Sequence, residues 1–209
     1  GFREFIGSDW GTRTSTVERY EVADYLAARH ELVSNRFPGE RLVIPAGGYK
    51  TRNNDCDYRF RAHSAFAHMT GLGAELEPDA VLVLNPVDGG HEATLYFHPC
   101  APRSSEEFYA DSRYGEFWVG ARPTLEEMSK MTGLRCDSID NLPDALAKDL
   151  GQVTLRVVPQ SDARIESEIH ELRARAEIAA NAEEADAELS EALSEIRLCK
   201  DAWEAREMQ

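Results

Sequence analysis

Residues 79–99 read DAVLVLNPVDGGHEATLYFHP, and no other stretch constrains the fold as much. Two apolar, strand-forming runs, DAVLVLNP (79–86) and EATLYFHP (92–99), are separated by a turn signal at Asp88–Gly90. Runs so spaced pair as an antiparallel hairpin. A sheet containing that hairpin cannot be purely parallel.

The segments around it alternate in character. RLVIPAG (41–47) and VTLRVVP (153–159) are short β-branched runs next to proline, read as buried strands. Apolar residues from Val17 to Phe37 recur at helical spacing, and FPGE (37–40) ends them. SSEEFYADSRYG (104–115) opens with a serine N-cap pattern. TLEEMSKMTG (124–133) carries a threonine cap, a glutamate three residues on and a closing glycine; DNLPDALAKDLG (140–151) follows the same plan. AFAHMTG (65–71) is short and apolar. Strands alternating with helices over roughly 17–160 predict an α/β domain built on a mixed sheet flanked by helices.

After Pro159 the pattern changes. Residues 162–209 contain neither glycine nor proline. Ile165, Ile169, Leu172 and Ala176 keep helical spacing, as do Leu189, Leu193 and Ile196, with Asn181 as the candidate break. The chain thus divides into residues 1–160, an α/β domain with Phe2, Phe5 and Trp10 in a packed N-terminal arm, and 161–209, an acidic helical arm. Such an amphipathic arm packs on its own domain, on a second subunit or on a following domain.

Charge narrows the function. The 209 residues carry a net charge of −15, and 161–209 hold 14 acidic against 6 basic residues. Phosphate contacts need a basic face, so nucleic acid is excluded as a partner. No run reaches the roughly 18 apolar residues of a membrane span. The first residues lack an apolar signal core, and the four cysteines are scattered, which fits reduced thiols and a cytoplasmic protein.

The polar stretch TRNNDCDYRFRAHSAFAHMTG (51–71) offers several sites. His63 and His68, near Asp55 and Asp57, have no recurring metal-ligand spacing. His91 and His98 flank one strand and are poor co-ligands. Ser64 lacks a nucleophile elbow, and two carboxylates beside Cys56 would make its thiol less reactive. Gly47–Gly48 and the Gly71/Gly73 pair lack phosphate-loop spacing. Arg52, Asp55, Asp57, Tyr58, Arg59 and Arg61 read either as a salt-bridged loop or as one wall of a cleft.

That stretch also resembles a family signature. Arg52, Asp55, Tyr58, Phe60, Arg61, Ser64, Phe66, Thr70 and Gly71, then EPDAVLVL (77–84) and EFWVGAR (116–122), are similar to the amino-terminal domain of Xaa-Pro aminopeptidases, the aminopeptidase P family of creatinase/prolidase-like, pita-bread metallopeptidases. EIRLCKDAWEAREM (195–208) resembles the linker toward that family's catalytic domain. Arg59 and Ala67–His68 depart from the usual signature, and the acidic arm over 162–196 is longer than expected.

The resemblance implies a ribonuclease H-like fold and a non-catalytic role for this chain. The family's catalytic domain binds two manganese ions and removes the residue before a proline at position two. By resemblance it lies beyond Gln209, so neither catalytic residues nor metal ligands are expected here, and this chain alone is expected to be inactive. The implied partners are that domain, the proline peptide and further copies in a homo-oligomer. Asp55 matches a residue near the substrate's amino end, where a carboxylate pairs with an ammonium. Trp118 matches a tryptophan that reaches a neighbouring subunit's active site, where its ring packs on proline. Arg52, Tyr58, Arg61 and Gly71 complete the structural signature. The alternative is a pita-bread pseudoenzyme using the same domain to bind peptide or protein.

Overall fold

A computed structural model describes residues 1–8, 16–54 and 56–209. In chain order the elements are α1 (Phe2–Gly7), α2 (Leu26–Ser34), β1 (Arg41–Pro45), β2 (Thr51–Asn53), β3 (Cys56–Asp57), α3 (Ser64–Thr70), β4 (Val81–Val87), β5 (Gly90–Phe97), α4 (Glu106–Ala110), α5 (Glu116–Val119), α6 (Leu125–Thr132), β6 (Arg135–Ser138), α7 (Leu142–Ala147), β7 (Leu155–Val157), α8 (Ala163–Arg175), α9 (Ala182–Ile196) and α10 (Ala202–Glu207).

Five strands form one sheet in the order β6-β5-β4-β1-β7. The expected hairpin is its centre: β4 and β5 pair antiparallel, with Val83 opposite Thr94. β1 pairs antiparallel with β4 and parallel with β7, while β6 runs parallel to β5. Four strands therefore point one way, and β4 alone opposes them. A separate two-stranded ribbon, β2–β3, stands outside this sheet.

The unbroken apolar runs of β1 and β4 follow from burial on both faces. Alternate residues go to opposite sides. Leu42, Ile44, Leu82, Leu84, Leu95 and Phe97 join one core with residues of α2, α3, α6 and α9. Val43, Val81, Val83, Tyr96, Leu155 and Val157 join a second with α7 and α8.

The helical arm is part of these layers. Ile165, Ile169 and Leu172 of α8 enter the second core, and Leu189, Leu193 and Ile196 of α9 enter the first. Asn181, with φ at 59°, caps α9 and marks the expected break. A second break, before Asp201, precedes α10. Between α8 and α9 a buried ion pair closes the edge of the sheet. Arg173 donates to both oxygens of Asp186 at 2.6 and 2.8 Å and to the Leu155 carbonyl, while the Val157 amide donates to Asp186 at 2.8 Å. The exposed edge of β7 is thereby covered by side chains.

Two expectations are revised. The helix expected over 17–37 is a 3-10 turn at Glu21–Asp24 followed by α2. The Tyr20 amide donates to the Met131 carbonyl at 2.9 Å, so a tertiary bond overrides helical spacing there. Phe2 and Phe5 are exposed rather than packed, and Trp10 lies outside the described residues.

Candidate functional site

The signature stretch splits into two halves. From Thr51 to Arg59 every described side chain is exposed, including Arg52 and Tyr58; Asp55 lies outside the described residues. Arg61 is exposed as well. The open end of the ribbon is closed by the Tyr58 amide, which donates to the Lys50 carbonyl at 2.8 Å.

From Phe60 onward the stretch turns inward. Phe60, Ala62, Ala65, Phe66 and Met69 are core residues. His63 caps α3, its Nδ1 accepting from the Ala65 amide at 3.3 Å; burial, then Arg197, lowers its pKa. The Thr70 hydroxyl donates to the Phe66 carbonyl and accepts from the Leu72 amide. Gly71 ends the helix at φ 68°, and a Cβ there would sit 2.6 Å from Val22 Cγ1. The same four residues, Met-Thr-Gly-Leu, recur at 131–134 and stop α6 with the same Thr132 bonds. Met-Thr-Gly is thus a helix stop, and its repetition is a signal that the sequence carries in plain view.

His68 is bound into the scaffold. Burial, then the Arg29 guanidinium, pushes its pKa down to about 4, against the pull of Glu204 and Asp201. Arg29 reaches Asp201 at 2.7 Å and donates to the His68 carbonyl at 2.7 Å, fastening α10 to α2 and α3. His91 and His98 lie at opposite ends of β5, bonded to the Glu40 carbonyl and beside Glu107 respectively. Cys56 and Cys199 are exposed thiols. Among the described residues, no three His, Cys, Asp or Glu side chains gather closely enough to hold a metal ion.

The chemically dense region lies at one end of the sheet. A cleft of about 950 Å³ opens where β1, β5, β6 and β7 end and β4 begins, with Lys50, Asp79, Arg113, Gln160 and Arg164 among its walls. In α/β sheets, ligands collect at carboxyl strand ends. Tyr49 and Arg113 are shared with a second cavity of about 380 Å³, beside Val119 and Arg122. Above this wall runs an aromatic arm, α4 and α5, neither of which buries a residue fully. Trp118 is 60% exposed and Phe117 68%. The Trp118 indole is nonetheless fixed: its Nε1 donates to the Tyr109 carbonyl at 2.7 Å, and its ring meets Phe117 edge to face.

Two carboxylates hold the arm. Asp79 accepts from Arg113 at 2.8 Å and also from the Tyr114 hydroxyl. Burial opposes the charge on Arg113, but Asp79, Tyr114 and Asp57 outweigh it and raise its pKa. Glu77 accepts from Arg122 at 3.0 Å in a buried pair; burial still raises the Glu77 pKa, with Arg122 opposing. The sequence reading passed over Arg113 and Tyr114, whose partner lies about 35 residues back in the chain. The spacing Glu-Pro-Asp ahead of an apolar strand was the available clue.

The fold agrees with the comparisons. Residues 25–158 match the family "Aminopeptidase P, N-terminal domain". The chain is 41% identical over 207 residues to Xaa-Pro aminopeptidase 1 of Streptomyces coelicolor, covering 99% of this chain and 39% of that one. Xaa-Pro aminopeptidase 2 of the same organism is 40% identical over 190 residues, covering 90% and 37%. A low-pH form of aminopeptidase P from E. coli superposes with a TM-score of 0.59 at 22% identity, over 77% of this chain and 33% of that one. The chain belongs to the aminopeptidase P amino-terminal domain family. It spans less than two-fifths of the length of these Streptomyces relatives. Among the described residues, no helix is long and apolar enough to cross a membrane.

Proposed function

We propose that this chain serves as the non-catalytic amino-terminal domain of a manganese-dependent Xaa-Pro aminopeptidase of the cytoplasm, covering one side of a peptide cleft and supporting a homo-oligomer. The observation that carries this reading is the aromatic arm. A tryptophan and a phenylalanine stand exposed, yet their backbone is tied down by charged pairs on a domain whose relatives are Xaa-Pro aminopeptidases. A soluble fold gains nothing from holding large rings in water. A rigid ring gains much when it packs on a proline and excludes water from the bond before it.

Asp55, which matches the family signature in sequence, supplies a carboxylate for the peptide's α-ammonium in this reading. Arg52 lies on β2, and Tyr58 and Arg61 follow β3; all three are exposed. In this reading the manganese pair is held by the catalytic domain and not by this chain.

The test is turnover of a peptide with proline at position two, with Mn²⁺ supplied, by the full-length protein and by residues 1–209 alone. Turnover by the full-length protein only is expected. Turnover by residues 1–209 would overturn the non-catalytic assignment. Peptide binding without hydrolysis by the full-length protein would favour the pseudoenzyme.

A further inference from the structure

The aromatic arm has little apolar anchorage, so its position depends on polar contacts. Both main contacts converge on one turn, Glu77-Pro78-Asp79, immediately before β4. Glu77 and Asp79 have φ of 54° and 64°, left-handed values that are uncommon outside glycine. The turn thereby sends two carboxylates into the arm. Asp79 grips Arg113 and Tyr114 before α5, and Glu77 grips Arg122 just after it.

The surroundings are fitted to this grip. A Cβ on Gly48 would lie 2.7 Å from Asp79 Oδ1 and 3.1 Å from Arg113, so only glycine lets the pair approach. Arg113 stacks 5.2 Å over Tyr49, and Tyr114 meets His98 edge to face at 4.2 Å. Arg122 donates to the His98 carbonyl at 2.6 Å, and its amide donates to Glu116 of α5 at 2.8 Å. Trp118 thus sits on a short helix held at both ends.

We propose that Glu77 and Asp79 are positioning residues, which fix the orientation of the Trp118 indole through Arg122 and Arg113. The proposal rests on the reading of Trp118 as a substrate-facing ring. Proline in the turn restricts the backbone between the two carboxylates. Asp79→Asn and Glu77→Gln remove charge while keeping shape, and Asn also tolerates the left-handed backbone.

Two measurements test it. In residues 1–209, the ¹⁵N-indole signal of Trp118, assigned through Trp118→Phe, reports its order by heteronuclear NOE. Asp79→Asn and the double variant with Glu77→Gln are expected to lower that NOE toward a free side chain. Ile165→Val, in the second core, controls for general destabilisation and leaves the NOE at its wild-type value. A wild-type NOE in the double variant, or an equal fall in the control, overturns the proposal. In the full-length enzyme, Asp79→Asn is expected to lower kcat/KM about tenfold, and to cost under about twofold when Trp118 is already Ala, since residues acting through one another are non-additive. A full tenfold loss in the Trp118→Ala background overturns the coupling. Wild-type kcat/KM in Trp118→Ala alone would instead sink the substrate-facing reading, while the NOE still decides the grip.

Discussion

The two halves of the stretch 51–71 obey different physics. Residues 60–71 are spent on folding: a cap, two phenylalanines in the core, and a threonine-glycine helix stop. The described side chains over 51–59 are all exposed, and the aromatic arm behind them is exposed too. A family signature that runs across both halves is therefore two statements in one. The buried half needs no substrate to explain it, whereas the described side chains of the exposed half enter neither core.

Perturbing each half should separate them. The largest effect is expected from Phe66→Ala, which empties a fully buried site and should cost about 3–5 kcal/mol in chemical denaturation. Gly71→Ala comes next, at about 1–3 kcal/mol, because the helix stop needs a left-handed residue and Val22 fills the space of a Cβ. A smaller effect concerns pH. His68 is kept neutral in the fold, so as pH falls the unfolded chain takes up its proton first. Stability should decline from about pH 6.5 to about pH 4 and then level, by on the order of 2 kcal/mol after allowance for solvent screening. His68→Gln should flatten that slope in urea titrations across this range. The smallest effects belong to the exposed half: Arg52→Ala and Tyr58→Ala should each change stability by no more than about 0.5 kcal/mol. A loss of 2 kcal/mol in either would erase the distinction between the halves.

Local chemistry was legible in the sequence. The β4–β5 hairpin was written in a turn flanked by apolar runs, and α6 in its Thr124–Glu127 capping box, both complete within a few residues. Contacts between distant residues were not. The bond from Tyr20 to Met131 shortens the helix expected over 17–37, and no periodicity foretells it. The Arg173–Asp186 pair, buried where charge is rarely found, binds the acidic arm to β7, although composition alone left its partner open among three choices. The same holds at the cleft: Trp118 could be picked out through a resemblance, but the carboxylates that grip its helix lie about 40 residues before it in the chain. The ion pairs depend on the sheet order, which short motifs do not specify.

The central claim is that the exposed half and the aromatic arm exist for substrate. Its most direct test is kcat/KM for a peptide with proline at position two, measured on the full-length protein carrying Asp55→Ala or Trp118→Ala, beside the melting temperature of each. The account predicts a loss of at least about tenfold in both variants, equivalent to about 1.4 kcal/mol of transition-state stabilisation, with melting temperatures within about 2 °C of wild type. Wild-type kcat/KM in both variants would contradict it.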